Sequence, residues 1–103
     1  MSKTITAAVL TNETGAHLGA YFPALSSSVE AKRVVLGDPS GQASAAAKRG
    51  LGAKLGAVYR SHAELLATEK PALALVSVES QAAPAVIRQA LEAGCHVFAE
   101  KPA

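Results

Sequence analysis

Four short, nearly continuous apolar runs recur along the chain: Thr4–Leu10 (TITAAVL), Arg33–Gly37 (RVVLG), Ala72–Val78 (ALALVSV) and His96–Ala99 (HVFA). Each is bounded by polar residues, Gly or Pro, and none alternates polar with apolar. Such runs suit strands buried on both faces, because every side chain then meets protein rather than water. Ala57-Val58-Tyr59-Arg60 is a weaker fifth candidate, expected nearer a sheet edge. Helical spacing lies between the runs: Leu18, Tyr21, Phe22 and Leu25 follow i, i+3, i+4, i+7, and Ala83, Val86, Ile87, Ala90 and Leu91 do much the same. The order β-α-β-α-β-α-β-α-β with short links predicts a parallel sheet, right-handed crossovers and helices on both faces.

Local signals place the helix ends. Ser61-His62-Ala63-Glu64 fits a capping box at the start of a helix running to about Thr68, since a serine and a glutamate three residues apart can satisfy free amides. Pro84 suits a first turn, where its missing N–H costs nothing, and Gly94 suits the end of the same helix. Gly50 is expected to close an Ala-rich helix from about Gln42 to Arg49. Pro23 removes the hydrogen bond to the carbonyl of Gly19 and should end or kink the first helix.

At 103 residues the chain has room for one domain and one core. Its ten Lys and Arg are scattered, without a cluster or interleaved aromatics, so nucleic acid is not an expected partner. Cys95 is the single cysteine, which excludes an intramolecular disulfide and a cysteine metal site and fits a reducing, cytoplasmic setting. The apolar run near the N-terminus is broken by Thr11, Asn12 and Glu13, too soon for a secretory signal and far short of a membrane span.

In open parallel sheets ligands bind beyond the carboxyl ends of the strands, where strand order reverses. The residues there are Thr11 to Gly15, Asp38, Ser77 to Gln81 and Glu100 to Pro102. Asp38 directly follows the second run, about twenty residues past Gly15, the spacing at which an acid meets the hydroxyls of an adenosine ribose. The same Asp in "GDPSG" also reads as a turn residue, and the two readings stand level. The loop "TNETGAH" has one glycine, Gly15, and carries Glu13 where a phosphate would lie; Thr11, Asn12 and Thr14 offer hydrogen bonds there. Ser77 and Ser80 would face a nicotinamide ribose or a substrate, while Ser80 or Gln81 equally well starts the next helix. Lys101, between Glu100 and Pro102 at the last strand's end, can act as general acid or base or can be a solvated lysine beside an acid. His17, His62 and His96 lack metal-like spacing and read as packing or surface residues.

Over its whole length the chain resembles the N-terminal domain of the Gfo/Idh/MocA family of NAD(P)-dependent oxidoreductases. The most specific part is "ALEAGCHVFAEKPA", Ala90 to Ala103, similar to the family's helix, glycine, strand and Glu-Lys-Pro signature; "VVLGDPS" and "YRSHAELLATEKPALALVSV" support it. The resemblance implies a Rossmann-type, doubly wound α/β sheet in three layers, with residues 1–103 as the NAD(P)-binding, N-terminal part of a longer two-domain chain. It implies hydride transfer between nicotinamide and a sugar, polyol or related hydroxyl compound. Lys101 would be the catalytic lysine, Glu100 would hold the nicotinamide riboside and Asp38 the adenosine ribose. The missing second domain would carry homo-oligomer contacts and further catalytic residues, leaving residues 1–103 inactive alone. Asp38 with no adjacent Arg favours NAD over NADP.

Two stretches depart from the family pattern. Its three phosphate-loop glycines fall on Val9, Thr11 and Thr14, and its Asn-x-x-His after the fourth strand falls on Ser80 and Ala83. The alternative is therefore a non-catalytic relative that kept the fold as a binding or oligomer-forming module. A phosphorylated receiver domain is set aside, because Thr11-Asn12-Glu13 and Tyr59-Arg60 lack the acids it needs.

Overall fold

The computed structural model of the chain describes residues 5–12, 18–28, 31–79 and 81–99. Five strands, β1 (Ile5–Thr11), β2 (Ala31–Gly37), β3 (Leu55–Tyr59), β4 (Leu73–Ser77) and β5 (His96–Ala99), form one parallel sheet in the order β3-β2-β1-β4-β5. Helices α1 (Leu18–Ser27), α2 (Ser44–Leu51), α3 (His62–Glu69) and α4 (Ala83–Glu92) connect them, with a 3-10 turn at Gly52–Lys54. The chain steps outward from β1 to β2 to β3, then returns to place β4 on the other side of β1. That reversal makes the β1–β4 boundary the switch point of the fold.

Side-chain alternation along β1 builds two cores. Ala7 and Val9 join Val34 and Leu36 beneath α1 and α2, where Phe22, Ala47 and Leu51 pack. Ala8 and Leu10 join Val35 and Val76 beneath α3 and α4, where Leu65, Leu66, Val86 and Ala90 pack. Central strands buried on both faces account for the uninterrupted apolar runs.

β5 departs from that expectation. It is an edge strand, and Phe98 is 56% exposed. Phe98 pairs in register with Leu75 and so lies on the α1–α2 side of the sheet. β3 is the other edge, as its weaker pattern indicated.

The expected helix boundaries hold in part. Ser61 Oγ accepts from the Glu64 amide at 3.1 Å and starts α3. Pro84 sits in the first turn of α4. After α4, Gly94 takes φ +89°, its N–H donates to Leu91 O and the Cys95 N–H donates to Ala90 O, the pair of bonds of a Schellman stop. Pro23 does not end α1, which runs on to Ser27. Pro23 is exposed, and Lys54 Nζ donates to the carbonyls of Leu25 and Ser28 at the helix's end. Gly50 does not end α2 either. A Cβ there would stand 2.5 Å from Phe22 Cβ, so Gly50 lets α2 pack directly against α1, and the stop falls at Gly52 with φ +57°.

Candidate functional site

The carboxyl ends of β1, β2 and β4 meet at one rim. Thr11 is fully buried at the end of β1, and its Oγ1 donates to Ser77 O across the switch point at 2.7 Å. Ser77 is also buried, and Asn12, next to Thr11 in sequence, is half-buried. His62, at the start of α3, reaches the same rim: its Nε2 lies 2.8 Å from Thr11 O. A carbonyl only accepts, so the imidazole carries its hydrogen on Nε2. Glu79 O accepts from the amides of Ala82 and Ala83, and α4 begins at Ala83 rather than at Ser80 or Gln81.

Asp38 follows β2, and its backbone N–H still donates to Tyr59 O of β3 at 2.9 Å. Its side chain is fully buried. Oδ1 accepts from the Ser40 amide at 3.0 Å and the Ser40 hydroxyl at 2.6 Å, and Oδ2 accepts from the Ala43 amide at 2.8 Å, just ahead of α2. Burial alone pushes the Asp38 carboxyl up, yet the Ser40 hydroxyl and the amides of Ala43, Ser40 and Gly41 outweigh it and hold the group below its ordinary value. The turn reading of Asp38 is thus realised.

Asp38 Oδ1 thus accepts a hydroxyl as well as an amide hydrogen bond in this structure. Asn12, just past β1, and Ser77, at the end of β4, are polar residues that flank the switch point. Thr14, Gly15, Ser80, Glu100 and Lys101 lie outside the described residues.

Two rim residues escaped the sequence reading. No Arg adjoins Asp38 in sequence, but Arg60, just past β3, folds over the Asp38 turn: its Nη2 donates to Pro39 O at 3.2 Å. The pairing of Gly37 with Tyr59 carries the signal, since it sets Asp38 and Arg60 side by side once β3 is placed next to β2. His62 had no signal beyond its nearness to a strand end. A cleft of about 420 Å³ lies at the opposite, amino end of the strands, among Thr6, Lys32, Arg33, Lys54 and Gly56, away from this rim.

A doubly wound parallel sheet with its polar rim at the switch point is a nucleotide-binding architecture. Residues 13–103 match the family model of the Gfo/Idh/MocA oxidoreductase family, NAD-binding Rossmann fold, and the chain belongs to that family. Among solved structures it is similar to apo scyllo-inositol dehydrogenase from Lactobacillus casei, with a TM-score of 0.78 at 24% identity over 99% of this chain and 30% of that one. The same enzyme with bound NAD(H) and scyllo-inositol matches with a TM-score of 0.76 at 24% identity, over 97% of this chain and 28% of that one. Myo-inositol 2-dehydrogenase from Lactobacillus plantarum gives 0.76 at 23%, over 97% and 29%. At these identities the likeness is one of fold, and the chain spans about 30% of the length of the structures it matches. No curated protein matches the chain. Among the described residues no helix is long and apolar enough to cross a membrane.

Proposed function

We propose that residues 1–103 are the cofactor-binding part of a longer, two-domain oxidoreductase that moves a hydride between nicotinamide and a hydroxyl of a sugar, polyol or related compound. The observation that carries this reading is the Asp38 carboxylate at the carboxyl end of β2, held ionised and already accepting a hydroxyl at 2.6 Å. Family membership supports it, as does likeness of fold to a dehydrogenase crystallised with NAD(H) and scyllo-inositol.

In this reading Asp38 takes the adenosine ribose, with NAD as the favoured cofactor. Thr11, Asn12, Thr14 and Gly15 form the pyrophosphate loop at the end of β1. Ser77 and Ser80 line the nicotinamide ribose or the substrate, and Glu100 holds the nicotinamide riboside. When bound, the nicotinamide supplies the hydride acceptor and donor. Lys101 takes up and returns the substrate hydroxyl proton, a task that needs a lysine whose surroundings tune its pKa. Further catalytic residues and homo-oligomer contacts belong to the second domain, so residues 1–103 alone turn over nothing. The cytoplasm is the expected location, from the single cysteine.

The test is a calorimetric titration of the longest native chain with NADH, repeated with Asp38→Asn. Asparagine keeps the size of the side chain and one acceptor oxygen for the Ser40 turn while setting an NH2 against the Ala43 amide, whereas alanine would strip partners from the amides of both Ser40 and Ala43. Binding that drops in Asp38→Asn, with the melting midpoint close to wild type, supports the reading. The withdrawal of the carboxylate behind Ser40 favours a second reading, a non-catalytic module that kept the fold. Absence of heat with NADH or NADPH from a chain shown to be folded selects that one.

A further inference from the structure

The charges at the ends of β2 and β3 are stacked in an unusual order. A carboxylate that faces the adenosine ribose rejects the 2′-phosphate of NADP by repulsion, and a nearby arginine accommodates it. Here the carboxylate is inside and the arginine outside. Asp38 has no exposed surface, and its Oδ1 is covered by the Ser40 hydroxyl. Arg60 is exposed and lies on the outer side of the same turn, with Nη2 on Pro39 O. Gly41 shapes the turn with φ +74°, and the Arg60 guanidinium carbon packs over it, at ordinary contact distance (3.5 Å) from where a Cβ would be. Among the described residues Arg60 has no acidic partner, and Pro39 O occupies one of its several N–H donors.

We propose that Arg60 sets the cofactor selectivity of this domain: it offers the 2′-phosphate of a bound adenosine a bidentate cationic partner over the Ser40–Gly41 turn, so that the preference for NAD over NADP is narrow. The inference rests on the reading of the Asp38 turn as the adenosine site. The chemistry is charge against charge, because a planar guanidinium matches two phosphate oxygens and a neutral hydroxyl does not engage it in that way.

The experiment uses the longest native chain and two probes that need no turnover, 5′-AMP and 2′,5′-ADP, titrated by calorimetry into wild type, Arg60→Ala and Arg60→Lys. Arg60 is exposed, so neither variant removes core packing. In wild type the two dissociation constants should lie within about tenfold of each other. Losing a hydrogen-bonded charge contact costs about tenfold or more, so Arg60→Ala should weaken 2′,5′-ADP by that factor and leave 5′-AMP within about twofold. Arg60→Lys should fall between, keeping the charge without the fork. Equal weakening of both probes would make Arg60 a stacking surface for the base and overturn the selectivity role, as would no change in either. A wild type that binds 5′-AMP but takes 2′,5′-ADP more than about a hundredfold more weakly would overturn it while leaving the adenosine site standing. A wild type that binds neither nucleotide would remove the site itself, and this inference with it.

Discussion

β3 and β5 are both edge strands, each bonded to a neighbour on one side only, and their side chains close them in different ways. At the β3 edge, Tyr59 donates its hydroxyl to Glu69 Oε2 at 2.7 Å, and Glu69 accepts two bonds from the Arg33 guanidinium, at 3.2 and 2.9 Å. β3, β2 and the end of α3 are tied by one carboxylate. Gly56 belongs to that arrangement, since the Arg33 guanidinium fills the space its Cβ would need. At the β5 edge no side-chain tie of this kind occurs among the described residues, and Phe98 and Leu91 are 56% and 58% exposed. The difference shows that an edge can be held by a polar network that fixes geometry and resists further pairing, or left as apolar surface that water covers at a cost.

The widest separation between the two sides should appear on truncating leucines. Leu65 of α3 is fully buried on the β3 side, and Leu65→Ala should cost about 3 kcal/mol in urea unfolding, from lost transfer energy and the cavity left behind. Leu91→Ala, on α4 beside β5, should stay within about 0.5 kcal/mol. Similar losses from the two would erase the comparison.

Glu69→Gln should have an intermediate effect, about 1 kcal/mol, since the Arg33 side chain is partly exposed and water screens the pair. Its pH dependence sharpens the test. Hydrogen bonds from Arg33 and then Tyr59 hold the Glu69 carboxyl below its ordinary value of 4.5. A carboxyl depressed in the folded state stabilises it fully above the unfolded value, and that contribution is lost as pH falls through the folded value. The gap between wild type and Glu69→Gln should therefore be constant at neutral pH and close below about pH 4.5. A gap that does not shrink at all as pH falls below 4.5 would show that shape, rather than charge, is what Glu69 provides.

Smallest of all should be Phe98→Ser, within about 0.5 kcal/mol by thermal melting, because the ring is already more exposed than buried. A loss near that of Leu65→Ala would mean that the β5 face is covered in solution.

The parts legible in the sequence were those that depend on neighbours along the chain. Uninterrupted apolar runs located the four strands to within a residue or two, and Ser61 and Gly94 marked the ends of helices through bonds spanning three to five residues. What could not be read depends on partners brought close by the fold. Gly50 has the composition of a helix stop, and only the presence of Phe22 on the neighbouring helix makes it a packing position. Arg60 is far from Asp38 in sequence and meets its turn because β3 lies beside β2. The exposure of Phe98 goes with the edge position of β5, which a run of four apolar residues does not record.

The bond from Thr11 to Ser77 spans 66 residues, and it dates the completion of the rim. A ribosome adds roughly 5–20 residues per second, so β1 emerges and waits roughly 3–13 s before its β4 partner exists. During that interval β1 has β2 on one side only, and the wall opposite is missing. Nothing that binds at the β1–β4 boundary can therefore act as a template for the first half of the domain. The early chain has to keep its own unpaired edge from other chains until the second half arrives.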